Sequence, residues 1–301
     1  MFDRIALAQD LVDCRGKVLG KKGDVISGEA IAEAAATAPH APRRLLSETF
    51  VAEDLHLPLA ESPYRHLFRG PGVQGIVARA LLSVRLPSAL YDELLALKFS
   101  DPTRYRHALC TAVVTVRMLT AAVGEARALP DMAAAALLHD IGMRHVQARL
   151  ARNTDPLARG EEREIAAHPL LGAYHLACLL GMHPAVDAAL CHHWRAGQGY
   201  PWLPAPPTRS IEVVGVASAF AALTQPRPFR SEPFDPRGAA DLLIAEAAAG
   251  HADASSVKLL VHALRGAVGE VRKVRFGRER QGHAPVVNRY TPIAMAERRP
   301  A

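Results

Sequence analysis

The sequence predicts a mainly α-helical fold, a helical bundle preceded by a small α+β N-terminal module. Three observations carry this expectation. Apolar residues recur at helical spacing, as Leu109, Val113, Val116, Leu119 and Val123 do within residues 102–123. Half of the 301 residues are hydrophobic but only 5% are aromatic, and the apolar content is largely Ala, Leu and Val, which favours close-packed helices over a strand sandwich. Gly or Pro punctuates nearly every junction, at Gly124, Pro130, Gly142, Pro156, Gly181, Pro184, Gly197, Pro204 and Pro226.

Taken in order, residues 10–27 hold short apolar pairs separated by Gly and Lys and read as two or three short strands. Ser27 then caps a helix that stops at Pro39. Residues 41–75 are polar and Pro-punctuated and read as linker and irregular structure, and residues 76–98 read as helical with a break at Pro87. Beyond them come helices over residues 102–123, over a segment capped by Asp131 and closed by Gly142, and over residues 161–180, 185–194, 211–223 and 255–268. This divides the chain into an N-terminal module (1–98) whose role the residues do not assign, a helical domain (99–276) and a basic C-terminal tail (277–301).

The composition excludes several classes. With 22% charged residues and a large apolar fraction the chain can bury a core and is not a disordered polymer. No apolar run approaches the roughly 18–20 residues that cross a bilayer, and the first residues do not read as a secretory signal. Cys14, Cys110, Cys178 and Cys191 fall in no paired spacing, which argues against a cysteine zinc site and for reduced thiols in a cytoplasmic protein. The net charge of +6 resides in residues 271–301, which carry eight basic and two acidic residues. We read that tail as a solvated terminus and not as a nucleic-acid or membrane contact.

Eight of the fourteen histidines lie between residues 107 and 193. The pattern that matters is His107, His139-Asp140, His168 and His192-His193. Imidazole and carboxylate together suit Zn, Mn, Fe and similar metals, and a carboxylate such as Asp140 can bridge two ions. Any one of these histidines is more simply a satisfied core or surface residue. Six polar groups on otherwise apolar helices are not explained that way. His145, His175 and His183 stay open between packing and a place in the site, and the remaining six histidines have no such context.

His139-Asp140-Ile141-Gly142 resembles the HD motif of the HD-domain phosphohydrolases. His192-His193 followed by Gly199-Tyr200-Pro201 resembles the signature of their HD-GYP subfamily. Arg106-His107, Ala167-His168-Pro169 and the Leu223–Arg230 segment are similar to further motifs of that subfamily, so the resemblance spans about residues 99–265. It implies a helical bundle with a centre of divalent ions, iron or manganese, that hydrolyses cyclic di-GMP in bacterial signalling through a metal-activated water. On that resemblance the ligands are His107, His139, Asp140, His168, His192 and His193, with Asp140 also the catalytic group. Tyr200, Arg227 and Arg230 would read the substrate, and Trp194 and Trp202 flank the loop that carries Tyr200. Partners would be a cyclic dinucleotide and, through the N-terminal module, a second copy or a signalling protein.

Three positions depart from the family pattern. Met143 stands where the family has a Lys, Ser218 where it has the last Asp ligand, and Thr103 where some members carry a Glu for a third ion. The loop before Tyr200 also lacks the family's Glu and Asp. The position built from His107, His139 and Asp140 thereby loses a carboxylate, while the one built from Asp140, His168, His192 and His193 keeps its full set. One or two ions are therefore expected, and two readings remain open: a phosphodiesterase, or a degenerate relative that binds a cyclic dinucleotide or a protein partner without turnover.

Overall fold

A computed structural model describes residues 4–60, 64–68, 72–146, 158–195, 199–201, 203, 205–227, 230, 232–266, 270–277, 279 and 281–286. Residues 4–27 form two antiparallel ribbons. Strand β1 (Arg4–Ala6) pairs with β4 (Val25–Ser27) in the register Ile5 to Ile26, and β2 (Leu11–Val12) pairs with β3 (Val18–Gly20). The turn between β2 and β3 closes because one Asp13 carboxylate oxygen accepts the amides of Arg15 and Lys17, while Gly16 takes a positive φ that a side chain would resist.

Ser27 caps α1 (Gly28–Thr37) by accepting the Ala30 amide at 3.3 Å, as its position in the sequence predicts. Among its described residues the stretch read as linker and irregular structure holds short elements: β5 (Arg43–Leu45), a 3-10 turn at Leu46–Glu48, α2 (Phe50–Asp54), α3 (His56–Ala60), a second 3-10 turn at Tyr64–Phe68, and the start of α4 (Val73–Leu82). Buried Leu46, Val51, Leu55, Tyr64 and Leu67 tie it to the core, and these apolar positions are too irregularly spaced to show a period. Pro87 ends β6 (Arg85–Pro87), which pairs with β5, and α5 (Ser88–Ser100) follows directly.

The central helix is α6 (Pro102–Val123), opened by Asp101, which accepts the Arg104 amide at 3.0 Å, and by Pro102 in its first turn. It is long and apolar enough to cross a membrane by length and composition, yet 78% of its most apolar stretch is buried inside the fold. It lies between α7 (Leu129–Leu138) and α11 (Arg209–Leu223). The segment read as one helix over 161–180 is two, α8 (Arg159–Ala166) and α9 (His168–Leu180), because Pro169 starts a new helix and His168 takes its first position. Helix α10 (Pro184–Cys191) packs on α7 and α9. Helices α12 (Pro236–Ala248) and α13 (Ala254–Leu264) complete the bundle, α12 being a helix the sequence did not signal.

The architecture is thus a helical bundle with a small N-terminal α+β module, and the two share one apolar core. Leu7, Leu11, Ile26 and Ile31 belong to the same buried cluster as the bundle residues, and Tyr174 of α9 donates its hydroxyl to the Leu19 carbonyl of β3. The beginning of the C-terminal tail is fastened as well. The Gln281 and Gly282 amides both donate to Asp241 on α12, each at 3.0 Å. Arg278, Arg280 and residues 287–301, including Arg289, Arg298 and Arg299, lie outside the described residues.

Candidate metal centre

Four helix ends deliver the six residues singled out in the sequence. Helix α7 stops at Leu138, and His139 and Asp140 follow, Asp140 heading a 3-10 turn at Ile141–His145. His168 opens α9, His192 and His193 follow α10, and His107 lies in the second turn of α6. Side chains of adjacent residues diverge by about 100° within a helix. Leaving the helix at His139 and at His192 is what lets both members of each pair face one point.

Three glycines make the approach close enough. A Cβ on Gly142 would overlap the His168 carbonyl oxygen and stand 2.6 Å from the Gly172 amide nitrogen, so the turn after Asp140 lies backbone to backbone on α9. A Cβ on Gly215 would stand 2.9 Å from the His192 carbonyl oxygen, and one on Gly199 would stand 2.8 Å from the Trp194 Cα.

The result is two overlapping groups. One ligand atom each from Asp140, His168, His192 and His193 lie within 4.8 Å of one another, and so do those of His107, His139 and Asp140. Ser218 of α11 sits at the second group, its Oγ 3.1 Å from His139 Nε2 and 3.3 Å from His107 Nε2. His107, His139, His168, His192 and Ser218 are all buried, whereas the Asp140 side chain keeps 20% exposure and marks the mouth of the site.

The hydrogen bonding fixes what the site offers. His139 Nδ1 donates to the Ala136 carbonyl at 2.7 Å, His168 Nδ1 to Ile165 at 2.7 Å, and His192 Nδ1 to Ala188 and Ala189 at 3.1 and 3.0 Å. Carbonyls only accept, so each of these Nδ1 atoms carries its hydrogen and Nε2 is the nitrogen turned inward. Burial keeps His107, His139, His168 and His193 neutral by lowering their pKa values, that of His139 to about 4. Burial opposes ionisation of Asp140 too, but the hydrogen bonds that His168 and His192 would donate to it on protonation at Nε2 outweigh burial and hold the carboxyl well below the usual carboxylate range. His168 Nε2 and His192 Nε2 stand 3.2 Å apart, and 3.2 and 3.5 Å from the same Asp140 oxygen. Lone pairs and a carboxylate converging on one point repel each other unless a cation lies among them. The donor set, imidazole nitrogens oriented by backbone carbonyls plus a shareable carboxylate, therefore fits a divalent ion.

The other residues singled out in the sequence fall around this centre. Tyr200 stacks on His193 with ring centroids 4.5 Å apart and meets His168 edge-on at 6.1 Å. The charge neighbours of Arg227 include Asp140, Arg104 and Asp101, and its own field helps to depress His107. Arg230 is buried and donates to the carbonyls of Ala222, Leu223 and Gln225 at the end of α11, over the Phe234 ring. Its backbone exchanges two hydrogen bonds with that of Arg227, at 2.8 and 2.9 Å. Thr103 is exposed on the first turn of α6. Met143 lines a cavity beside Asp140. Trp202 lies outside the described residues.

The three open histidines sit elsewhere. His183 Nδ1 accepts the Ala185 amide at 3.1 Å and caps α10. His145 and His175 join a second buried polar cluster around Glu93 of α5. That carboxylate accepts the Cys14 amide at 2.7 Å, pairs with Arg144 and lies 3.4 Å from His175 Nε2, while His145 Nε2 is 3.1 Å from His175 Nδ1. The cluster joins the N-terminal ribbon to the turn after Asp140, and the sequence reading missed Glu93. Its signal was present: Glu93 falls on the stripe Leu90, Leu94, Leu97, where a charge is out of place unless paired.

No protein-family model matches the chain, and no curated protein sequence does. Among solved structures it is similar to the HD domain of the L. monocytogenes phosphodiesterase PgpH in complex with cyclic-di-AMP, at 17% identity and a TM-score of 0.45, over 58% of this chain and 93% of that one. A second structure of the PgpH HD domain is similar at 18% identity and a TM-score of 0.44, over 57% of this chain and 95% of that one.

Proposed function

We propose that this chain is a metal-dependent phosphodiesterase of the HD type whose substrate is a cyclic dinucleotide, with cyclic di-GMP first by the resemblance of its motifs to the HD-GYP subfamily. The observation that carries the proposal is the position of Asp140, shared by two groups of inward-facing imidazoles at a partly open mouth. Ions held there by His107, His139, Asp140, His168, His192 and His193 would supply Lewis acidity and lower the pKa of coordinated water.

The chain's own residues do the rest. Asp140 is ionised, so it adds the one negative charge that the histidines lack, at the partly open mouth of the site. Arg227, whose field reaches Asp140, grips the phosphate, and Arg230 positions it by holding the backbone of its loop. Tyr200 covers His193 and keeps water from that side of the cluster.

A second reading is favoured by Ser218. A neutral hydroxyl where a carboxylate would complete the His107–His139 group weakens one ion position, and Met143 offers no cation to the phosphate. The chain would then bind a cyclic dinucleotide without cleaving it.

The test is anaerobic protein reconstituted with Fe(II) or Mn(II), its metal content measured, and incubated with cyclic di-GMP and, separately, cyclic di-AMP. Linear dinucleotide together with bound metal is expected. Bound metal and bound dinucleotide without product would establish the receptor, and absence of both binding and product would sink either reading.

A further inference from the structure

A cavity of about 250 Å³ opens beside Asp140, between α5, α6, the end of α7 and the 3-10 turn that follows it. Its walls are largely apolar, built from Leu94, Leu97, Ala108 and Met143 among others. Its charged groups are paired: Arg104 with Asp101 at 3.4 Å, and Arg144 with Glu93. Drug-sized ligands occupy pockets of about 300–1,000 Å³, so this volume is too small for a whole dinucleotide and suits a single ring system. A planar aromatic ring would be desolvated between the leucines, and the Met143 thioether is a favourable contact for its edge. The Arg104 side chain, 12% exposed, lines the same cavity as Asp140, and both belong to the charge neighbourhood of Arg227. A phosphate at the Asp140 cluster thus lies within the field of two guanidinium groups while an attached ring occupies the cavity.

We propose that this cavity seats one nucleobase of the substrate, with Met143 as its specificity-determining wall and Arg104 as a second cation for the neighbouring phosphate. The proposal deepens the phosphodiesterase reading and rests on it. Met143 then exchanges a phosphate contact for a base contact: a Lys there would place an unpaired charge against apolar walls.

The experiment uses the full chain loaded with Mn(II) and calorimetric titration of two probes, GMP and ribose 5-phosphate, which differ by the base. GMP is expected to bind at least about tenfold tighter. Ala108→Leu, which fills the cavity from α6, should bring GMP to within about threefold of ribose 5-phosphate and leave ribose 5-phosphate unchanged. Leu97→Phe, at a half-buried position, repeats the test should Ala108→Leu unfold. Arg104→Gln should weaken both probes alike, by about tenfold. Equal affinity of the wild type for the two probes, or filled variants that still prefer GMP, would overturn the base site while leaving phosphate binding intact. A metal-loaded wild type that binds neither probe nor a cyclic dinucleotide would instead bring down the phosphodiesterase reading, and the base site with it.

Discussion

His168 Nε2 and His192 Nε2 face each other at 3.2 Å, and the Nδ1 atom of each is already committed to a backbone carbonyl. Two inward-facing nitrogens at that distance share either a proton or a metal ion, and only a metal ion can be bound by both of them and by the Asp140 oxygen at once. His168→Ala and His192→Ala are therefore each expected to lower the metal content of reconstituted protein, measured by emission spectrometry, and chelation should lower the wild-type melting temperature. Unchanged stoichiometry in both variants would show that the cluster is not a metal centre.

Ser218 holds the place where a carboxylate would bridge the His107–His139 group. Ser218→Asp is expected to raise the metal content. It should also raise turnover of cyclic di-GMP by about 10²–10³ if the wild type is limited by this contact. A variant no faster than an active wild type would mean that Asp140 and the histidines suffice.

Gly142→Ala tests the close approach of the turn after Asp140 to α9. The added methyl has no room, and overpacking of this kind costs about 1–3 kcal/mol, read as a lower urea midpoint together with weaker metal binding. Gly28→Ala, where nothing lies within 4 Å, is the control and should be neutral or slightly stabilising. Equal midpoints for the two variants would contradict the packing described.

The Glu93 cluster makes an acid-stability prediction. Burial, followed by the neighbouring His175 for His145 and by Arg144 for His175, lowers both pKa values from 6.5 to about 3. Between those values the unfolded chain binds more protons than the folded one. Stability from these rings is complete above pH 6.5 and declines as pH falls towards 3, by at most ~1.4 kcal/mol per pH unit per ring. In urea titrations between pH 7 and pH 4, replacing His145 and His175 by Gln together should flatten this decline. An identical slope would remove the rings from the account.

Much of this was legible from residues alone. The helical period of residues 102–123, the Ser27 cap and the histidine–aspartate spacing depend on local geometry, which a sequence carries directly. That is why the helical class and the six candidate ligands could be named in advance. The short elements between β5 and α4 could not, because helices of five residues show no period and are held by burial of Val51, Leu55 and Leu67. Nor could Arg104, the role of Arg230 or what Glu93 pairs with, since each is defined by its partner. Glu93 meets Cys14 and Arg144 across long sequence separations, and Arg230 turns from a phosphate to the carbonyls ending α11. The sequence by itself determined which side chains were available and which helices would carry them. Only the tertiary structure decided how closely the two groups around Asp140 approach and that Met143 faces a cavity, because convergence at a point depends on where four helices end and on glycines that let their backbones touch.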